Sequence, residues 1–209
     1  MFAPWVMALL LVGAEPAGLL GPDLRTAIEQ GRWAEAIPAL EAALSRNPEA
    51  AALRYLLGEG LAQRAELDRA ATEVRIALDL RPDRARWWHT LARIEADRGR
   101  FREALAALGR AEHIAPSTRI DFDSATCLES AGDLVQALER LERVLTNEPD
   151  HVPALRLAST LARDLGRAGE AAELARRALE LRPGAPRAAA LLGQALLDLD
   201  EAEHAAEAE

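Results

Sequence analysis

The chain has 209 residues, half of them hydrophobic, which is enough for a folded core and excludes a disordered tail. Its formal net charge of -9 and isoelectric point near 5.1 argue against general binding to nucleic acid or to an anionic membrane surface. All 25 basic side chains are arginines, which excludes Schiff-base chemistry on lysine and a P-loop lysine.

The first predicted element is an apolar segment at residues 1–16. Residues 6–12 are apolar and are followed by Gly13 and Ala14, compact residues of the kind that signal peptidase accepts. This pattern predicts a signal peptide, and hence a periplasmic or secreted bacterial protein, although no basic residue precedes the apolar stretch. The alternatives are a misplaced start codon or an apolar cap on the first repeat, in an otherwise cytoplasmic protein. The stretch falls short of the roughly 20 residues that span a membrane, so no stable span is predicted.

From residue 17 onward the chain repeats with a period of about 34 residues. Prolines separated by 34, 34, 33 and 34 residues mark the period: Pro48, Pro82, Pro116, Pro149 and Pro183. A second mark is a glycine, whose place an alanine takes once: Gly31, Ala65, Gly99, Gly132 and Gly166. Between these marks, apolar residues at i, i+3, i+4 and i+7 predict two helices per unit, joined at the glycine and ended by the proline. Three residues stand where the next helix needs an N-cap: Asp83, Ser117 and Asp150.

This pattern resembles the tetratricopeptide repeat (TPR) family, whose repeat reads W-x2-L-G-x2-Y, then A-x3-F, an alanine and a proline. The second repeat matches with Leu57, Gly58, Leu61, Ala70, Val74, Ala77 and Pro82, and the third with Trp88, Leu91, Ala104, Leu108, Ala111 and Pro116. The resemblance implies an all-α fold, a right-handed α-solenoid of about five and a half helix-turn-helix repeats over residues 17–209. The repeats lie near 17–50, 51–84, 85–117, 118–151 and 152–185, with a partial sixth at 186–209 that ends inside its second helix.

Helical angles separate two faces on the first helix of each repeat. Trp87 lies on one of these faces and is predicted to be buried between repeats. Trp88 occupies the position at which the family has its tryptophan. Both are therefore interpreted as packing residues rather than as a stacking platform for a ligand. Cys127 lies on the same face and is predicted to be a buried small hydrophobe, not a reactive thiol. Glu95 stands where the family has an aromatic residue, which puts the local packing in doubt.

The opposite face carries ring side chains and arginines that packing does not require. In the TPR family this face lines the concave groove in which extended peptides or partner helices bind. The predicted partner-binding residues are Tyr55, Arg86, His89, Arg93, Arg119, Phe122, Thr126, Arg156, Thr160 and Arg163. The face is locally positive, which favours a partner with acidic character. The alternative is an ordinary solvated face whose arginines reflect the arginine-rich composition of the chain.

Phe122 has a second possible placement, in the core, because the repeat before it is one residue short. We place it on the open face, since four nearby residues then point inward: Ile120, Cys127, Leu128 and Ala131.

No catalytic or metal-binding motif is present. The four histidines form no i, i+4 pair, a single cysteine allows no disulfide, and no GxSxG, GxxxxGK[ST] or GxGxxG sequence occurs. The sequence therefore predicts a non-enzymatic scaffold without cofactor or metal, which binds an extended or helical segment of a protein partner and no nucleic acid. A role in assembling an envelope complex follows from family analogy alone. The alternatives are a structural or self-assembling subunit that uses the partial sixth repeat as an open end, and a small-molecule-binding or enzymatic protein.

Overall fold

The computed structural model describes the backbone of residues 21–207 and the side chains of residues 21–200. The predicted signal segment at residues 1–16 lies outside the described residues. Between residues 21 and 207 the chain forms eleven helices and no strand. No helix in this range combines the length and the apolar character needed to cross a membrane.

The helices follow one another as five pairs and a single last helix. They are α1 Pro22–Glu29, α2 Trp33–Arg46, α3 Ala51–Gln63, α4 Leu67–Leu80, α5 Ala85–Asp97, α6 Phe101–Ile114, α7 Thr118–Ser130, α8 Leu134–Asn147, α9 Val152–Asp164, α10 Ala168–Leu181 and α11 Pro186–Glu207. The described helices divide between two compact units, one up to residue 115 and one from residue 116 onward.

The turn inside each pair is made where the sequence placed its glycine mark. Gly31, Gly99, Gly132 and Gly166 have φ values of 68°, 72°, 84° and 74°, and Ala65 has a φ of 60° in the equivalent place. These are left-handed conformations, which glycine adopts freely and an L side chain does not. The turn that the repeat pattern predicted is confirmed in all five pairs.

Ala65 pays a conformational penalty that glycine would remove, so we expect Ala65→Gly to stabilise the protein. A left-handed non-glycine residue costs about 1–2 kcal/mol, and the greater freedom of glycine in the unfolded chain offsets part of that gain. We expect the free energy of unfolding to rise by about 0.5–1 kcal/mol, as measured by chemical denaturation. Gly99→Ala is the matched control, because a Cβ there would meet nothing within 4 Å, so its expected loss is conformational. A loss of stability in Ala65→Gly would contradict this explanation.

Small residues on the second helix of each pair form one part of the core. The alanine that follows each turn mark by five residues is fully buried in every pair: Ala36, Ala70, Ala104, Ala137 and Ala171. Small side chains let two helices approach closely. In the first unit the large buried side chains include Leu53, Leu61 and Ile94, and in the second they include Leu141, Leu155 and Leu161.

The helix starts differ in detail from the sequence-based assignment. Ser117 caps α7, and its Oγ accepts a hydrogen bond from the backbone N–H of Ile120 at 3.4 Å. Asp83 and Asp150 are not caps, because α5 and α9 begin one residue later than expected. His151 caps α9 instead, with Nδ1 accepting from the Ala154 N–H at 3.1 Å.

The two adjacent tryptophans have structural roles. Trp87 is buried, as predicted. Trp88 is half-buried, and its Nε1 donates to the carbonyl oxygen of Pro82 at 2.9 Å, which ties the start of α5 to the preceding turn. On α7, Ile120 and Leu128 are buried as expected, whereas Ala131 is exposed because it lies at the turn beyond the helix end.

The last helix departs from the predicted sixth repeat. α11 runs without interruption from Pro186 to Glu207, so the expectation of a second helix at this point is wrong. The residue in the turn place, 34 after Gly166, is Asp200, and it lies inside the helix. The aspartate alone does not account for the continuous helix, because Ala65 makes the equivalent turn without glycine.

Candidate partner-binding faces

The predicted binding residues lie on the first helices of the pairs and divide between the two units. The first-unit face comprises Tyr55, Arg86, His89 and Arg93, on α3 and α5. The second-unit face comprises Arg119, Phe122, Thr126, Arg156, Thr160 and Arg163, on α7 and α9. Each face is described separately.

Tyr55 is part of the core and not of an open surface. Its side chain is fully buried, and its ring stacks on that of Trp87 with centroids 5.0 Å apart and planes 11° from parallel. Tyr55 was assigned to the correct helical angle, but Trp87 of the next repeat covers its ring. The expectation of an open ring at position 55 is therefore wrong, and any contribution of Tyr55 to binding has to be indirect.

Beneath the first-unit face lies a buried polar cluster that the sequence did not predict. The Tyr55 hydroxyl donates to Glu59 Oε1 at 2.6 Å and lies 3.0 Å from Thr90 Oγ1. Burial raises the pKa of Glu59, and the hydrogen bond from Tyr55 and the charges of Arg86 and Arg93 act in the opposite direction. Burial and the nearby Glu59 carboxyl likewise raise the pKa of Tyr55 well above its usual range. Glu59 is a buried acid beneath this face. In the sequence it stands at the same position of the repeat as Arg93, 34 residues later.

Three of the predicted binding residues remain at or near the surface of this unit. Arg86 and Arg93 are exposed, and His89 is half-buried. The two arginines act electrostatically on Glu59, so part of their positive charge is balanced by an acid of the chain itself. The first-unit face is consequently less positive than a count of its arginines indicates.

Because the pKa of Glu59 is raised in the folded state, the stability of the protein should depend on pH. A substitution of Glu59 isolates this dependence. The folded state holds the Glu59 proton more tightly than the unfolded chain, whose pKa is near 4.5. Stability that is present below that pH is therefore lost as pH rises through the folded pKa. We expect Glu59→Gln, which does not titrate, to gain stability relative to the wild type between acidic and neutral pH, as measured by thermal unfolding across that range.

Tyr55→Phe provides the control for the Glu59 prediction. It removes the hydrogen bond that lowers the pKa of Glu59, so the loss of stability should extend to higher pH than in the wild type. Parallel stability profiles for the wild type and Glu59→Gln would show that Glu59 does not titrate as described.

On the second-unit face an aromatic ring is half-exposed, as the sequence predicted for the open placement. Phe122 is half-buried, and its ring lies 5.1 Å from that of His151 at a tilt of 47°. The core position of that turn is taken by Asp121, which is buried and accepts from Arg140 Nη1 at 2.9 Å. The alternative placement of Phe122 in the core is therefore wrong.

Arg156 is the most unusual cation of the second-unit face. Its side chain is half-buried, and its Nε is buried without a hydrogen-bond acceptor among the described residues. An unpaired buried donor costs about 1–3 kcal/mol.

The two predicted threonines, Thr126 and Thr160, bond to their own helices. Thr160 Oγ1 donates to the backbone carbonyl of Arg156 at 3.1 Å, and Thr126 Oγ1 donates to that of Phe122 at 3.1 Å.

The other two arginines of this face already have acidic or polar neighbours. Arg163 Nη1 donates to Gln194 Oε1 of α11 at 2.6 Å, and its Nε lies 3.9 Å from Asp198 Oδ2. Arg119 is highly exposed and lies 3.9 Å from Asp123 Oδ2 in the next turn of α7. Among the described residues of this face, Arg156 is therefore the arginine with a buried N–H donor that has no acceptor.

Reactive and metal-binding chemistry is not concentrated on these faces. No group of three or more His, Cys, Asp or Glu side chains that could hold a metal ion occurs in the described part of the chain. Cys127 is buried, as predicted, and burial together with Asp123 raises the pKa of its thiol to about 11. At neutral pH this thiol stays protonated and is a poor nucleophile.

The comparison with known families decides the assignment of the repeats. Sequence profiles described as tetratricopeptide repeat match residues 27–94, 89–152 and 122–186. The chain belongs to the tetratricopeptide repeat family. The TPR repeats that the proline and glycine spacing predicted are thus confirmed from residue 27 to residue 186.

Solved structures show the same TPR fold. The chain is similar to MamA, with 19% identity and a TM-score of 0.73 over 77% of this chain and 94% of that protein. It is similar to MamA of Desulfovibrio magneticus RS-1, with 16% identity and a TM-score of 0.73 over 89% of this chain and 99% of that one. It is also similar to YrrB, a TPR protein with an unusual peptide-binding site, with 19% identity and a TM-score of 0.73 over 89% and 96% of the two chains. The all-α solenoid class and the count of about five and a half repeats are confirmed.

A relative among curated proteins matches a shorter stretch. The CTR9 homologue of Arabidopsis thaliana is 33% identical over 100 residues, which are 47% of this chain and 9% of that protein. This chain therefore spans less than a tenth of the length of that relative. The match carries no conclusion about the function of the larger protein.

Proposed function

We propose that this TPR protein is a non-enzymatic scaffold that binds an acidic segment of a partner protein on the open faces of its first helices. TPR repeats are protein-interaction modules in general, which supports the class of function. Arg156 is partly exposed on α9, which supports this helix as part of the binding surface. The positive charge of Arg156 supports an acidic partner. The observation that carries the proposal is the unmet hydrogen-bonding requirement of Arg156.

A carboxylate is the group that best satisfies Arg156. A guanidinium presents several N–H donors in a planar fork that matches two carboxylate oxygens, and charge-assisted bonds of this kind are about twice as strong as neutral ones. A partner carboxylate that draws the guanidinium outward would give the buried Nε donor an acceptor. Phe122, half-exposed at the same position of the preceding repeat, offers apolar surface for the neighbouring side chain of the partner.

The first-unit face contributes in a different way. Arg86 and Arg93 lie above Glu59, so an acidic partner there meets two cations and one buried acid. Attraction to this face is weaker when Glu59 is ionised, because the carboxylate of the protein competes for the same arginines. We therefore assign the stronger anchor to Arg156 and a steering role to the exposed Arg93.

The role in an envelope complex depends on the segment at residues 1–16. If that segment directs export, the scaffold works in the periplasm or outside the cell, where it would hold or assemble partner proteins. N-terminal sequencing of the protein purified from its host distinguishes the two locations. A new N-terminus near residue 15 supports the exported scaffold, and an intact N-terminus contradicts it.

A peptide selection tests the proposed binding faces. Wild-type protein is used to select from a phage-displayed library of random peptides, in parallel with a variant that carries Arg93→Glu, Arg119→Glu and Arg156→Glu. The wild type should enrich peptides rich in Asp and Glu, and the variant should not. The matched control carries Arg102→Glu, Arg110→Glu and Arg176→Glu, on the second helices α6 and α10, and should select as the wild type does. Equal enrichment by the wild type and the triple variant, with both folded, would refute the binding faces.

A further inference from the structure

Two rings of the second unit meet beside the second-unit face. The ring of Phe122 on α7 lies 5.1 Å from that of His151, at a tilt of 47°. Both side chains are half-buried, so each ring contacts the other and also keeps a part that solvent reaches. Sequence reasoning predicted Phe122 as a binding residue and assigned no binding role to His151. The structure therefore extends the ring surface of this face to the start of α9.

The His151 ring is held in one orientation by its own helix. It caps α9, since Nδ1 accepts the hydrogen bond from the Ala154 N–H at 3.1 Å. A ring nitrogen that accepts in this way carries no proton, so in the neutral ring the proton is on Nε2. Nε2 has no hydrogen-bond partner among the described residues. His151 thus presents a fixed ring with one N–H donor that a bound segment can use.

Arg156 follows this pair of rings closely along α9. Five residues separate it from His151, which is about 7.5 Å of helix rise. Two residues of extended chain cover about the same distance. Phe122 also occupies the position of its own repeat that Arg156 occupies in the next one. A partner segment whose carboxylate binds Arg156 would therefore bring a residue one or two positions away to the ring pair.

An aromatic side chain gains more from these two rings than an aliphatic one does. A contact between aromatic rings raises affinity by about two- to tenfold beyond the effect of the area that it buries. Tyrosine gains further, because its hydroxyl oxygen can accept a hydrogen bond from the Nε2–H of His151. An aliphatic side chain buries apolar area here without either contribution.

We propose that Phe122 and His151 form a specificity subsite that takes an aromatic side chain, tyrosine in preference, one or two residues from the carboxylate that Arg156 binds. This inference rests on the proposed function and names the partner more closely, as an acidic segment with an aromatic residue embedded in it. Arg156 attracts acidic segments in general, and the ring pair selects among them.

Four labelled peptides test the subsite. They have the sequence Gly-Ser-Glu-Glu-X-Glu-Glu-Ser-Gly with Tyr, Phe, Leu or Ala at X, so that acids flank X in both directions. Binding to the full chain is followed by fluorescence anisotropy. The tyrosine peptide should bind at least about tenfold more tightly than the alanine peptide, with phenylalanine between tyrosine and leucine. Equal affinity for the tyrosine and leucine peptides would show a general apolar contact and would overturn the proposal.

Two variants locate the preference in the ring pair. Phe122→Ala removes one ring, and His151→Asn removes the other while its amide oxygen keeps a capping acceptor for α9. In each, the preference for tyrosine over alanine should fall at least about threefold, and the affinity for the alanine peptide should stay within about twofold. Phe101→Ala is the matched control, because Phe101 is also half-buried but lies on the second helix α6, and it should keep the full preference. An undiminished preference in folded Phe122→Ala and His151→Asn would overturn the subsite.

The alanine peptide separates this inference from the proposed function. It carries the acids without the ring, so Arg156→Glu should weaken its binding at least about tenfold. If Arg156→Glu has that effect but all four peptides bind the wild type equally, the acidic binding face stands and the ring subsite is refuted. If the affinity of no peptide depends on Arg156, the proposed function and this inference fail together.

Discussion

Glu95→Ala should destabilise the protein by about 3–5 kcal/mol, the largest effect expected from a single charged residue in the chain. The Glu95 side chain is 1% exposed and accepts from Arg98 Nη1 at 3.1 and 3.0 Å. Arg75 also donates to it, and Arg98 reaches on to Asp68. The Arg98 side chain is only 10% exposed, so removing Glu95 leaves a largely buried guanidinium without its main counter-charge.

Chemical denaturation followed by circular dichroism measures the Glu95 effect, and two further variants interpret it. Glu35→Ala removes an acid that is 60% exposed and paired with Arg32, so it should cost only about 0–1 kcal/mol. Replacing Glu95 and Arg98 together by leucine and methionine should recover most of the lost stability, because no buried charge then remains unpaired. A loss below about 1 kcal/mol in Glu95→Ala would contradict the buried network.

The second large effect is expected at the helix contact that Gly58 permits. A Cβ there would lie 2.5 Å from Val74 Cγ2 and 3.3 Å from the Val74 backbone nitrogen. Val74 is fully buried, so it has little room to move away. We expect Gly58→Ala to lower the free energy of unfolding by about 1–3 kcal/mol, since overpacking outweighs the better helix propensity of alanine.

Gly109→Ala is the matched control for Gly58→Ala. Gly109 also lies inside a helix, but a Cβ there would meet nothing within 4 Å. This variant should gain about 0.5–1 kcal/mol from helix propensity alone. Adding Val74→Ala to Gly58→Ala should restore part of the stability lost in the single variant. If Gly58→Ala and Gly109→Ala had the same sign, the close contact between α3 and α4 would not be as described.

Periodic features of this fold could be predicted from the sequence because each depends on local physics. The turn glycines are required by backbone conformation, and the buried alanines by the spacing of helical faces. The partial second helix was predicted by extending the period, and the continuous helix α11 departs from that prediction without a local signal comparable to the turn glycines.

The polar interior could not be predicted in the same way, because it depends on residues from different repeats. Glu95 was recognised as a departure from the family pattern, but its partner Arg75 lies 20 residues away and on another helix. Tyr55 was placed at the correct helical angle, yet Trp87 of the next repeat covers it. Glu59 was overlooked because an acid among arginines looks like surface charge until burial and the Tyr55 hydrogen bond are known.

The affinity of one acidic peptide, selected by the wild type, tests the central claim most directly. It is titrated by calorimetry against the wild type, Arg156→Glu on the open face of α9, and Arg176→Glu on α10. Losing a charge-assisted hydrogen bond costs about 1.5–3 kcal/mol, so Arg156→Glu should bind at least tenfold more weakly. Arg176→Glu should stay within about twofold of the wild type, because its charge change is the same but lies on a second helix. Equal weakening by the two variants would show that net charge alone attracts the peptide, and would contradict a binding face centred on Arg156.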